Sequence, residues 1–327
     1  MNGWTFHGGR LSKAKAHFGN VGAQWLDLST GINPHAWPGV SNLSIDWRSL
    51  PDVKALEALE AAAAHHFGVD PAHICAVPGT EVGLRMLGDC LPGPAAHVVP
   101  SYRTHGEMVM GSRPIAITDV VTIAGSTLIL ANPNNPDGRV LTASELAGTL
   151  QHISATAGWL VIDEAFADAT PDISLASQIS DDRPLVIFRS FGKFFGLAGV
   201  RLGFVLGPRT LIARFRAKLG SWPLSSAAIA IGAAAYRDER WIEDMRTRLP
   251  IDAKALSDML LRHSLKVIGE CPLFGLIEVD DAATVFERLA RRAILTRPFD
   301  HNPSWLRIGL PDSEEALARL DDALTYG

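Results

Sequence analysis

The sequence predicts a three-layer αβα protein: a large domain around a mostly parallel β-sheet, and a smaller α/β domain toward the C-terminal end. Two observations carry this. Short apolar runs alternate with helical patterns through the first two thirds of the chain, the order that builds a parallel sheet covered by helices. The chain also has 327 residues, 47% of them hydrophobic and only 20% charged, enough for about two domains with a large shared interior. No internal repeat or low-complexity tract competes with that reading.

The elements follow in order. Over 52–67, Val53, Leu56, Leu59, Ala63 and Phe67 recur at helical spacing, and Gly68 supplies the exit. Strand-like runs come next at 97–100, 126–131, 159–163, 185–189 and 202–206. Segment 210–261 is rich in helix, and strand-like runs at 274–279 and 305–310 each lead into another helix, which reads as the second domain. The expected organisation is an arm over 1–35 that belongs with the small domain, a large domain over 36–222 and a small domain over 223–327.

Composition removes several function classes. With 30 Lys+Arg against 35 Asp+Glu the net charge is −5, and no basic cluster stands out, so nucleic-acid binding is not expected. The longest apolar stretch, 224–236, is interrupted by serines and too short to cross a bilayer. The first ten residues have no basic region followed by an apolar run, which points to the cytoplasm and not to secretion. Cys75, Cys90 and Cys271 fit no C-x-x-C spacing, and His65-His66 sit adjacent on a helix, pointing in different directions; no metal is expected.

Four segments carry chemistry. In Phe188-Arg189-Ser190-Phe191-Gly192-Lys193-Phe194-Phe195-Gly196, a lysine follows a buried-looking strand in a loop of small and aromatic residues. Desolvated settings of that kind favour the neutral amine that Schiff-base formation needs. Upstream, the strand Trp159-Leu160-Val161-Ile162 ends in Asp163, at the end of a sheet where α/β proteins bind ligands. Asn132-Pro133-Asn134-Asn135-Pro136 follows another strand. Val77-Pro78-Gly79-Thr80-Glu81 opens a helix with small residues, whose free N–H groups can receive a phosphate.

Together, over nearly the whole chain, these segments resemble the fold type I pyridoxal 5'-phosphate enzymes of the aminotransferase superfamily. That resemblance implies that Lys193 forms the Schiff base, Asp163 pairs with the pyridinium nitrogen and Asn135 bonds the ring's phenolate oxygen. It also implies that Gly79, Thr80, Glu81, Ser190 and Arg201 surround the cofactor phosphate side, that Tyr102 stacks on the ring, and that Arg307 clamps a substrate carboxylate. The physical logic is sound: a buried carboxylate favours the protonated ring, and a dianionic phosphate wants a guanidinium, a hydroxyl and a helix N-terminus together. Two positions depart from the superfamily pattern. Phe166 stands where relatives have a tyrosine reaching the phenolate oxygen. Leu50 stands where they have a tyrosine donated across a homodimer interface.

The N-terminus, Phe6-His7-Gly8-Gly9-Arg10 followed by Ser29-Thr30-Gly31-Ile32-Asn33-Pro34, is similar to the opening of the threonine-phosphate decarboxylases of cobalamin synthesis. The resemblance implies that His7, Gly8 and Gly9 bind a substrate phosphate and that Asn33 lies near the substrate, with Arg10, where the family often has Asn, adding positive charge. Paired glycines let backbone N–H groups approach an anion. The reaction implied is decarboxylation of L-threonine O-3-phosphate. The competing reading is a histidinol-phosphate-type aminotransferase, which also takes a phosphorylated amino substrate.

Overall fold

The computed structural model describes residues 3–5, 7–19, 24–91, 93–269 and 271–325. Their strands are β1 (Leu26–Asp27), β2 (Ile74–Val77), β3 (Ala95–Val98), β4 (Arg113–Ile115), β5 (Thr127–Ala131), β6 (Trp159–Asp163), β7 (Leu185–Ser190), β8 (Gly203–Leu206), β9 (Phe274–Glu278), β10 (Ile294–Leu295), β11 (Arg297–Pro298) and β12 (Trp305–Gly309). The chain divides into two compact units. The larger holds 36–135 and 140–245; the smaller holds 1–35, 136–139 and 246–327.

In the larger unit seven strands form one sheet in the order β2-β8-β7-β6-β5-β3-β4. All neighbours are parallel except β8, which runs antiparallel to both β2 and β7. Side chains alternate between the faces of a strand. One set, with Val77, Ile129, Val161, Val186, Phe188 and Val205, packs against Leu84 and Leu87 of the helix Thr80–Gly88. The opposite set, including Leu128, Leu160, Ile162, Ile187 and Phe204, is equally buried, so both faces are covered as three layers require.

The expected helix at 52–67 runs Val53–Phe67. Asp52 caps its start, accepting from the Ala55 amide at 3.0 Å, and Gly68 ends it in the left-handed region at φ 68°. The strands expected at 126–131, 185–189 and 202–206 fall within a residue of the observed ones, whereas that expected at 97–100 lies two residues early, at 95–98. The large unit extends further than the sequence suggests, to 245 and not 222. Packing explains this: the helix Ser226–Ala235 lies against Val53–Phe67, where a Cβ on Gly232 would come within 2.8 Å of Leu59.

The smaller unit pairs β1 with β10 in parallel and arranges β11-β12-β9 as an antiparallel sheet. Backbone bonds from Leu28 N to Leu295 O (2.8 Å) and from Gly309 N to Leu28 O (2.7 Å) stitch the chain after β1 to both groups of strands. All three cysteines are free and buried. Among the described residues, no helix is long and apolar enough to cross a membrane.

A buried ionic network in the large unit ties β6 to β7. Arg189 donates to Glu164 at 2.8 Å and to Asp168 at 2.5 Å; His66 lies 3.0 Å from Asp168, and Ser174 donates to Glu164 at 2.5 Å. Burial raises the Glu164 carboxyl. The same burial works against Asp168, but Arg189 and His66 overcome it and hold Asp168 down at about 2. Asp168→Asn should therefore lower the unfolding free energy at neutral pH by about 3–5 kcal/mol, the typical loss when a buried pair is broken. Asp168 contributes above its unfolded pKa of about 3.9, and the contribution fades as pH falls toward about 2. Urea denaturation at pH 7 and pH 3.5 should show a smaller difference between variant and wild type at the lower pH.

Candidate active site

Strand register builds the site in the large unit. Ala131 pairs with Asp163 and Asp163 with Phe188, so the C-terminal ends of β5, β6 and β7 are level along one edge of the sheet. From that edge emerge the turn bearing Asn135, Asp163 itself, and the short helix Phe191–Phe194 bearing Lys193. Gly203 pairs with both Ser190 and Val77, which brings the turn before Gly79 alongside.

Asp163 is only 6% exposed. Its Oδ1 accepts from the Ala165 amide at 3.1 Å, and its Oδ2 lies 3.0 Å from Nε2 of the fully buried His105. Tyr102 packs edge-on to His105 at 5.9 Å. The Tyr102 hydroxyl donates to Glu81 at 2.9 Å, as does Thr104 at 2.8 Å, and Arg85 bonds the other Glu81 oxygen at 2.6 Å. Burial would raise Glu81, but these donors hold it below the usual carboxylate range; burial and the Glu81 charge push the Tyr102 phenol up to about 12. Glu81, expected among the residues around the cofactor phosphate, thus engages Tyr102, Thr104 and Arg85 and fixes the ring it holds.

Lys193 is half-buried, with Nζ 5.6 Å from the centre of the Phe166 ring. Asn132 and Asn134 are fully buried and shape the turn before Asn135: Asn132 exchanges bonds with Leu141, and Asn134 donates to the Pro100 carbonyl at 2.9 Å. Gly79 adopts φ 85° at the entry to the helix Thr80–Gly88. A Cβ there would lie 2.8 Å from the Arg201 guanidinium, and one on Gly203 would lie 2.8 Å from the Thr80 amide. The two glycines let a guanidinium and a helix N-terminus converge beside Ser190, a ready anion cradle.

The smaller unit gathers most of the other expected residues. Gly9 N donates to Ser29 Oγ at 2.7 Å, and a Cβ on Gly8 would collide with the Ser29 carbonyl, so the His7-Gly8-Gly9 turn is seated on Ser29. Arg307, 3% exposed, donates to that same carbonyl at 3.1 Å. Arg10 donates to Gly3 O at 2.8 Å, and Asn33 is buried with Oδ1 accepting from the His35 amide at 2.9 Å. Phe6 and Tyr326 lie outside the described residues.

Two residues escape the sequence reading. His105 meets Asp163 across 58 positions, with no local pattern to reveal it. Arg297 stands directly opposite Arg307 across β11 and β12. Burial and the neighbouring Arg297 push the Arg307 guanidinium well below its usual range. An arginine in each of two antiparallel strands was a readable signal only once the strands were known to pair.

A profile of the family described as aminotransferase class I and II matches residues 116–324. The chain belongs to this family. Among its relatives are a threonine-phosphate decarboxylase from Sinorhizobium sp, 38% identical and covering 99% of this chain and 98% of that one, and one from Pseudomonas aeruginosa, also 38% identical, covering 97% and 96%. Among solved structures, a histidinol-phosphate aminotransferase from Sinorhizobium meliloti in complex with pyridoxal-5'-phosphate shares the fold, with a TM-score of 0.83 at 20% identity, covering 96% of this chain and 93% of that one. The protein is a pyridoxal-phosphate-dependent enzyme, and the residues in hand fit that cofactor: a buried carboxylate, a lysine one short helix away, and a cradle that a Cβ on Gly79 would fill.

Two measurements check this site. Lys193→Ala should abolish the visible absorbance of the cofactor-loaded protein; an unchanged spectrum would refute the assignment of that lysine. Because burial raises both Tyr102 and Tyr236, a spectrophotometric titration of the folded protein should detect no more than one tyrosinate per chain at pH 10.5, although the sequence holds three tyrosines.

Proposed function

We propose that the protein decarboxylates L-threonine O-3-phosphate to (R)-1-amino-2-propanol O-2-phosphate, the step that provides the aminopropanol linker of cobalamin. The observation that carries this reading is the seating of the His7-Gly8-Gly9 turn and the Arg307 guanidinium on one residue, Ser29, which offers separate holds for a phosphate and a carboxylate. The decarboxylase names of the 38%-identical relatives support it.

The chain's own residues divide the work. Lys193, Asp163, Asn135 and Tyr102 would hold the cofactor ring; Gly79, Thr80, Ser190 and Arg201 would hold its phosphate. When bound, pyridoxal phosphate supplies an electron-accepting ring for the pair left behind as CO₂ departs. Asp163, steadied by His105, holds a proton at the ring nitrogen. Arg307 orients the substrate carboxylate, with Arg297 beside it adding charge. The backbone N–H groups and imidazole of His7-Gly8-Gly9 bind the substrate phosphate, with Arg10 next in the sequence and Asn33 near the substrate. The bond from Cα to the carboxylate breaks, and Lys193 Nζ returns a proton to Cα in its place.

We read the protein as a cytoplasmic homodimer. Trp47, Leu50, Val53 and Trp222 are large apolar side chains left exposed on the large unit, the kind of surface a subunit interface covers.

Cofactor-loaded protein given threonine phosphate should release CO₂, while histidinol phosphate with 2-oxoglutarate should give no glutamate. Glutamate formation without CO₂ would replace this reading with the aminotransferase one. His7→Ala should raise KM for threonine phosphate while leaving pyridoxal-phosphate affinity nearly unchanged; equal loss of both would make the turn merely structural.

A further inference from the structure

Ser29, on which the glycine turn and Arg307 are both seated, has no assigned part in the bond-breaking itself. It is 2% exposed. Its amide and its hydroxyl both donate to Asp27 Oδ1, at 3.0 and 2.6 Å. The hydroxyl oxygen accepts from Gly9 N at 2.7 Å, and the carbonyl accepts from Arg307 Nη2 at 3.1 Å. The carbonyl is also the atom that a side chain on Gly8 would strike, at 2.2 Å. On the next residue, the Thr30 carbonyl lies where a Cβ on Gly309 would come within 2.3 Å, so β12 presses on this segment from the side that carries Arg307.

These bonds have a direction. Asp27 accepts the hydroxyl proton of Ser29, which turns an oxygen lone pair toward Gly9 N; a charged acceptor strengthens such a chain. The hydroxyl thus grips the glycine turn, and the carbonyl grips the arginine. The two anion-binding groups cannot move apart without breaking a bond to the same buried residue.

We propose that Ser29 is a positioning residue that fixes the span between the phosphate-binding turn and the carboxylate-binding arginine, and so selects phosphorylated amino acids whose phosphate and carboxylate match that span. This deepens the decarboxylase reading and rests on it for the identity of the two anions. A compound one methylene longer would have to stretch the span, and an analogue without a carboxylate would forgo the contact to Arg307.

The test uses the cofactor-loaded full-length protein and its visible spectrum to follow binding of O-phospho-L-threonine and of O-phospho-L-homoserine, one methylene longer. Ser29→Ala should weaken phosphothreonine binding about tenfold, the scale of one lost hydrogen bond, and phosphohomoserine binding by no more than about twofold. The thermal midpoint and cofactor affinity should stay near wild type. Hydrogen exchange of the Gly9 amide should quicken in the variant without any ligand present. Equal weakening of both ligands, or unchanged exchange at Gly9, overturns the proposal. Should Ser29→Ala fail to fold, Asp27→Asn, which weakens the acceptor behind the hydroxyl, is read the same way, with a smaller loss of about threefold expected. If wild type does not bind phosphothreonine at all, the decarboxylase reading falls, while the Gly9 exchange still decides whether Ser29 holds the turn.

Discussion

Arg189 holds together the part of the protein on which the chemistry depends. A guanidinium without water costs several kcal/mol unless its charge is answered, and here two carboxylates answer it from one side of the sheet edge. Glu164 directly follows Asp163, and Arg189 directly precedes Ser190. The ion pair therefore joins the residue after Asp163 to the residue before Ser190. Lys193 follows one turn later. Because Asp168 and His66 complete the network, any shift of β7 along β6 would strand a charge in the interior. The register that pairs Asp163 with Phe188, two residues before Ser190, is thus enforced by electrostatics as well as by the ladder of backbone bonds.

The smaller unit solves a different problem with the same means. It must keep two arginines close across one strand pair. Arg307 and Arg297 face each other across a strand pair, and the repulsion of two like charges so placed costs energy. Aromatic rings reduce that cost: Phe274 lies 4.8 Å from the Arg307 guanidinium and Phe299 lies 5.0 Å from that of Arg297. Glycine at 8 and 309 removes the side chains that would otherwise separate these segments.

Much of this was legible in the sequence, for physical reasons. Strands buried on both faces read as unbroken apolar runs, so β5 through β7 and the residues at their ends stand out, and Asp163, Ser190 and Lys193 with them. Glycine at positive φ before a helix marks Gly79. What was hidden depends on tertiary pairing. His105 acquires its partner only when the sheet places Thr104–Glu107 beside β6. Arg297 sits in a two-residue strand with no periodicity to show it, and the antiparallel direction of β8 leaves no trace in a four-residue apolar run. The helix Ser226–Ala235 is apolar on every side, so its sequence says that it is buried but not against which domain.

The division of labour between the units bears on how reaction type is set. The large unit presents a carboxylate, a lysine and a phosphate cradle, and these serve any chemistry that a pyridoxal ring permits at Cα, transamination as well as decarboxylation. Which bond at Cα breaks depends on which one is held perpendicular to the ring, and that is decided by where the substrate's other charges are pinned. The groups proposed for that role, Arg307 and the His7-Gly8-Gly9 turn, share Ser29. Phe166 sets an apolar ring 5.6 Å from the Lys193 amine. On the proposed reading, control over the reaction rests with the spacing of Arg307 and the His7-Gly8-Gly9 turn, and a displacement of about an ångström in a reacting geometry is enough to change a rate by about a hundredfold.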